Sequence, residues 1–521
     1  MSRVVSRVAI HPDANDVTAA VTSSSGSPVV AALGTAAVPG RVHFLVSEDA
    51  RRDRDPPFAA GETRWTHDGA FALPAGAGAV RSAAVVSSAR RPSETYFAFG
   101  TDGSPGKVVP AGALNGTPVP LREGEDVLAA AVASEAFSFK ENASAPCFVF
   151  ATWTSPSRLV RVDVDEETRA LRRAAGTTLP LGVNRVRAAV ADPRTLSFGS
   201  RALDGKHTTP DVARAAHFAS DTSPSALITV RTNDLAIVDA LVFPSSPGDD
   251  EGARVRVGAI LEETTRGVTD GGAVSYWVTR VSFSSPQSPK DGATRDGSRS
   301  PRGSNLFRVA HRRADGGGST ITDTYAFRAT ERAVAAISVE RTARSGFGPD
   351  AAVVYVAFDD SGLDDNTSSI PAASVVALVE RRDEHTGACL GFERIATVVV
   401  PGARALTPVL VADGVASYAT RGSPAELVEI DFFATRRIAL PDSDAAVASR
   451  GPDGDAALDA SVAVSFESSA VLCVAFANAT HFGATFLFAG GPIGAGGRRL
   501  TAEALAARGA AKGETWRARP C

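Results

Sequence analysis

The sequence predicts an all-β chain built from repeats, and three recurring phrases carry that prediction. The first is an aromatic and apolar run, a Ser-Pro break, a basic residue and a second apolar run. It reads "YFAFGTDGSPGKVV" in one copy and "CFVFATWTSPSRLVRV" in another. The second is a short strand of small residues: "VTAAVTS", "VRSAAVVS", "VLAAAVAS", "VRAAVAD". The third is an apolar run ending near proline: "FALPAG", "TTLPLG", "IATVVVPG", "RIALPDS".

Each phrase has a structural reading. Ser-Pro copies centre on Pro105, Pro156, Pro224 and Pro424, and a near-copy with Val38 before the proline on Pro39, the first four of the five roughly 50–70 residues apart. Degraded copies from Tyr276 and Val353 fill the gap before Pro424, and a proline-free copy starts at Leu472. Pro105 with Gly106 suits the centre of a type II turn, and Ser157, Ser225 or Ala425 after proline suits type I. The phrase is therefore a β-hairpin. The small-residue strand fits a place where neighbouring sheets crowd together. Proline removes a ladder donor, so the third phrase belongs on an outer edge.

A small inner strand, a hairpin of two middle strands and a proline-ended outer strand make one blade of a β-propeller. The count predicts a single propeller over residues 1–490 with eight blades, or seven if one degraded copy is spurious. The last repeat lacks a fourth strand, and "RVVSRVAI" at the N-terminus is spare, so the N-terminal strand is expected to close the last blade. The segment from Ser284 to Asn305 is Ser, Pro, Gly and charge, and is expected to be a disordered loop insertion (284–305). Residues 491–521 read as a tail with one short helix, Thr501 to Arg508, stopped by Gly509.

Composition narrows the function classes. The chain has 521 residues, 44% hydrophobic, enough to bury a large core. A net charge of -4 and a pI near 6.1 offer no electrostatic footprint for nucleic acid. Only five of the 54 basic residues are lysine, a skew that reads as coding bias. No run approaches the roughly 20 apolar residues of a membrane span, and "MSRVVSRVAIHPD" has no apolar signal core. Cys147, Cys389 and Cys473 lie in apolar runs, and no C-x-x-C spacing occurs, so no zinc or redox site is expected.

Candidate sites are few. Asp359, Asp360, Asp364 and Asp365 in "DDSGLDDN" are carboxylates that a cation would need, although the register of a calcium loop is missing and a solvated loop accounts for them too. The same holds for Asp453, Asp455 and Asp459. No two of the eight histidines stand at helical or alternating spacing. "AGGPIGAGG" reads as a linker, so no cofactor is expected. Four of the eight asparagines open N-x-[ST] sequons in expected loops: Asn115, Asn142, Asn366 and Asn478. They fit glycosylation outside the cell or at its surface if the N-terminus is incomplete; otherwise the chain is expected in the cytoplasm.

A family resemblance sits on the same phrases. "YFAFGTDGSPGKVV" followed by "LREGEDVLAAAV" resembles the "YFGT-x-TSPGKVVKIDL" and "GE-x-x-L-x-SAVIDP" repeat of propellers grouped loosely with the YVTN, NHL and quinoprotein-like propellers. The best matches are Tyr96 to Val109, Gly124 to Val132, Phe148 to Asp163, Val190 to Pro193 and Leu427 to Asp431. The resemblance implies a propeller used as a surface or secreted binding module, with no catalytic motif.

The reading that follows is a non-enzymatic binding or scaffolding propeller with a protein or carbohydrate partner on a loop face. The alternative is a propeller hydrolase or lactonase with a metal on the axis.

Overall fold

The computed structural model describes residues 3–23, 29–47, 65–114 without 89 and 92, 117–138, 143–198 without 181, 211–244, 254–262, 273–280, 303–311, 318–342 without 329, 351–359, 372–432 without 384–388 and 413, 471–475 and 485–489. Over these residues the chain is all β.

Strand β1 (Arg3–Ala9) comes first. The first blade is then β2 (Val17–Thr22), β3 (Val29–Thr35), β4 (Arg41–Ser47) and β5 (Trp65–Ala72). The second is β6 (Val80–Ser87), β7 (Thr95–Thr101), β8 (Lys107–Gly112) and β9 (Val119–Pro120). The third is β10 (Leu128–Ser138), β11 (Ala143–Thr152), β12 (Arg158–Asp165) and β13 (Ala170–Thr178). The fourth is β14 (Val186–Phe198), β15 (Asp211–Ser220), β16 (Ala226–Arg231) and β17 (Ile237–Val242). The fifth is β18 (Arg254–Glu262), β19 (Ala273–Arg280), β20 (Asn305–His311) and β21 (Thr320–Ala326). The sixth is β22 (Val334–Thr342), β23 (Ala351–Asp359), β24 (Ala372–Arg382) and β25 (Cys389–Pro401). The seventh is β26 (Leu406–Ala412), β27 (Val415–Thr420) and β28 (Glu426–Asp431), with β1 as its fourth strand.

The propeller therefore has seven blades, not the expected eight. Inner strand β26 packs against β22 on one side and β2 on the other, so the ring is complete at the seventh blade. The hairpin counted as the eighth copy is β29 (Val471–Ala475) with β30 (Thr485–Ala489), a separate two-stranded antiparallel sheet. A hairpin phrase marks any two paired strands; a blade also needs a small inner strand wedged between two others, and that second condition sets the number.

Closure by the N-terminal strand holds, but on a different blade. β1 pairs with β28, where "RIALPDS" had been expected to supply the outer strand, and residues 437–443 lie outside the described set. The Ile10 amide donates to the Ala425 carbonyl at 3.0 Å, and the Arg7 guanidinium reaches Glu426 at 2.5 Å. The first strand thus completes the seventh blade, whose inner strand already packs against the first blade, and so closes the ring at the seam. The propeller boundary at 490 rests on residues of which only β29 and β30 are described. The tail helix lies outside the described residues, as does the 284–305 insertion except its last three. Of those three, Gly303 and Ser304 are buried and Asn305 opens β20.

Burial follows strand position. The second strands are almost continuously buried, as in β7 and β23. Outer strands alternate instead, β13, β17 and β21 showing one face to water, because only one of their faces meets a neighbouring blade. The core lies between blades: Phe97 and Phe99 pack with Ala32 and Val42 of the first blade, and Phe148 and Phe150 with Tyr96 and Ala98 of the second. Close approach explains the glycine of "FGT". A Cβ on Gly100 would stand 2.7 Å from Leu128 Cβ, and on Gly34 2.3 Å from Val80 Cγ1. Gly100→Val is expected to cost about 1–3 kcal/mol through overpacking, read as a lower urea midpoint with unchanged m-value.

The Ser-Pro turns differ from the type I or II expectation. The peptides before Pro39, Pro105, Pro156, Pro224 and Pro424 are cis, the arrangement that places proline third in the turn. Gly106 is not in the left-handed region; a Cβ there would lie 3.2 Å from the Glu125 and Thr101 carbonyl oxygens, so backbone proximity is what it serves. The serine that replaces it has a task. Ser157 Oγ accepts from the Val186 amide at 3.0 Å, and Ser225 Oγ from the Val255 amide at 2.8 Å, each tying a turn to the next inner strand.

Candidate functional site

The ring surrounds an open axial cavity of about 240 Å³ whose wall comes from all seven inner strands. Five inner strands enter it alike. A β-bulge follows the first residue of β2, β6, β10, β14 and β22, so the strand register skips Thr18, Arg81, Ala129, Arg187 and Ala335, which stand on the wall. In β18 the bulge falls one residue later and sets Arg256 on the wall in the same way. An extra residue in one strand of a pair re-aims its side chain, which is how a strand otherwise written in alanine turns an arginine to the axis. Arg421 joins from the turn after β27. Among the described residues the wall thus carries four guanidiniums and no carboxylate.

These arginines open toward the Ser-Pro turns, since the start of each inner strand pairs with the end of the second strand: Val80 with Thr101, Leu128 with Thr152, Val186 with Ser220. The following residue then donates its amide to the residue before the inner strand, Trp153 to Val127 at 2.9 Å and Asp221 to Arg185 at 3.0 Å. Val127 and Arg185 take left-handed φ values of 46° and 54° to present those carbonyls. Two aspartates buttress the arginines: Asp102 holds Arg81 at 2.5 Å and Asp221 holds Arg256 at 2.7 Å. Burial pushes the Asp221 carboxyl up, against the pull of Arg256, Arg187, Arg254 and Arg185. On the same face Trp153 is 40% exposed, with the Arg185 guanidinium 5.8 Å over its ring.

Histidine spacing concealed two clusters. His11, on the link after β1, stacks on His67 with centroids 4.7 Å apart, and His43 Nδ1 lies 3.3 Å from His67 Nε2. His43 is tilted to both of the other rings, at 41° to His11 and 53° to His67. His43 is fully buried, and burial with the neighbouring His67, His11 and Arg41 holds it down at about 4. The second cluster joins the fourth and fifth blades: His217 stacks on His311 at 3.8 Å, His217 faces Asp192 at 3.5 Å, and Ser275 bridges His311 and Trp277, each at 2.6 Å. All five side chains are buried, which makes this a polar core between blades.

Of the residues expected from sequence, Asp359 ends β23, half-buried, and its amide donates to the Ala333 carbonyl at 2.7 Å. Asp360, Asp364, Asp365, Asn115, Asn142, Asn366, Asn478, Asp453, Asp455 and Asp459 lie outside the described residues. Among the described residues no three His, Cys, Asp or Glu side chains are placed to hold a metal ion, and no helix is long and apolar enough to cross a membrane. Cys147 is buried as expected; Cys389 is half-buried, its thiol pushed up to about 12 by burial and by Glu380. Sequence reasoning passed over the axial arginines, although "VRS", "VRA" and "VRV" open three inner strands.

No family model matches the chain, and no curated protein matches it. Solved propellers are similar in backbone. Sqt1 of Saccharomyces cerevisiae shares 8% identity over 82% of this chain and 98% of that one, with a TM-score of 0.39. Semaphorin 2a of Drosophila shares 8% over 82% and 75%, with a TM-score of 0.43. The lectin of Aleuria aurantia shares 11% over 74% and 96%, with a TM-score of 0.33.

Proposed function

We propose that the protein is a non-enzymatic binding or scaffolding propeller that holds a protein or carbohydrate partner on its Ser-Pro face. The observation that carries this reading is the make-up of that face. It presents exposed Trp153 beside an arginine ring where a metal hydrolase would gather carboxylates and amides. Guanidiniums repel a cation on the axis, and a half-exposed tryptophan offers a rigid apolar surface to a sugar ring or a protein anchor. The repeat resemblance to YFGT-type propellers supports the same reading. Trp153→Ala is expected to keep the fold and to abolish binding on a glycan array or capture of a defined partner from the native host. Equal binding by the variant, or turnover of a lactone or ester panel by the wild type, overturns it.

A further inference from the structure

We infer that the axial cavity binds a small multivalent anion of the phosphate class, held between Arg81, Arg187, Arg256 and Arg421. This ligand sits within the ring and needs no macromolecular partner on the Ser-Pro face. Three observations carry it.

The first is charge. Four guanidiniums line the cavity, Arg185 and Arg254 stand behind them around Asp221, and Asp102 and Asp221 pair with Arg81 and Arg256 from outside the wall. Like charges gathered in a concave, alanine-walled space raise the local potential, and an anion placed among them relieves that repulsion.

The second is geometry. Arg81, Arg187 and Arg256 come from the second, fourth and fifth blades, each aimed at the axis by a bulge. The corresponding residues of the first, third and sixth blades are Thr18, Ala129 and Ala335. Small residues leave room for the long arginines to reach inward. Guanidiniums arriving from several directions suit tetrahedral oxygens, which a phosphate offers on all sides and a planar carboxylate does not.

The third is size. A cavity of about 240 Å³ accepts a di- or triphosphate or a compact phosphate ester and is too small for a folded domain. Arg187, set on the wall by a bulge, and Arg421, set there by a turn, reach the cavity from different blades, so they are the residues to change.

The test is titration calorimetry of the full chain at low salt with pyrophosphate, tripolyphosphate and ATP, against citrate and sulfate. Binding of the phosphates is expected, with affinity falling at least tenfold in Arg187→Ala/Arg421→Ala and weakening as salt rises. Arg172→Ala, on the outer strand β13, is expected to bind as the wild type does. Tripolyphosphate binding tighter than ATP points to an oligophosphate, and the reverse to a nucleotide; either supports the site. Should the double alanine variant fail to fold, Arg187→Gln/Arg421→Gln replaces it. No phosphate binding by the wild type, citrate binding as tightly, or unchanged binding in the folded double variant overturns the proposal.

Discussion

Stability is expected to fall by up to about 3 kcal/mol as pH drops from 6.5 to about 4, owing to His43 alone. His43 is fully buried against His67 and His11, and desolvation is the largest reason it resists protonation. Its folded value is depressed below the ordinary 6.5, so the unfolded chain binds the extra proton first. The contribution is therefore fully present above pH 6.5, drains away through that window, and is gone below about 4. His67 is shifted the same way by burial and His11, which widens the effect. The charged groups facing the cluster are Arg41, Asp13 and Asp68; Arg41 and Asp13 pair at 2.8 Å. Urea unfolding at pH 7.5 and 4.5, with His43→Gln alongside, measures it: the variant should lose much less stability between the two pH values. Because His11 follows the closing strand, the loss should appear first at the seam between the seventh and first blades.

Glu380→Ala is expected to cost about 3–5 kcal/mol. Glu380 is fully buried at the contact of the fifth and sixth blades. Its carboxylate takes the Tyr276 hydroxyl at 2.5 Å, Arg308 Nε at 3.0 Å and Arg382 Nη2 at 3.2 Å. Removing it takes the Glu380 carboxylate away from buried Arg308 and half-buried Arg382, while Tyr276→Phe removes one hydrogen bond and should cost about 1–2 kcal/mol. A urea midpoint for Glu380→Ala close to that of Tyr276→Phe would mean that water reaches the arginines. A second tie across blades behaves alike: Arg394 grips Glu331 with both arms at 2.7 Å, and the bond holds the Glu331 carboxyl below its usual range despite burial.

How far the sequence disclosed these features depends on what spans short distances. Hairpins, small inner strands and proline-ended outer strands are local patterns, and in the first four blades each appears where its phrase stands, whereas "RIALPDS" lies outside the described residues and β1 holds the outer position of the seventh blade. Closure by the N-terminal strand was legible because "RVVSRVAI" had no partner nearby. The number of blades was not, since the copy at Leu472 has the hairpin's local pattern, and only the packing of β26 against both β22 and β2 shows that the ring closes without it. The site was hidden for a different reason. Arg81, Arg187 and Arg256 each look like one charge in an alanine strand, and only a bulge repeated around a ring converges them. Glu380 meets Tyr276 across 104 residues, and the histidine stack depends on the pairing of Leu45 with His67 across a register shift. Such meetings leave no spacing to read.

The claim on which the rest stands is a seven-bladed ring whose last blade borrows the N-terminal strand. Hydrogen exchange measured by mass spectrometry on the intact chain tests it most directly. The peptide covering residues 3–10 should be strongly protected, and should lose protection together with residues 415–431 as urea is raised. An N-terminal peptide that exchanges at the rate of an unfolded chain while residues 415–431 stay protected would contradict it.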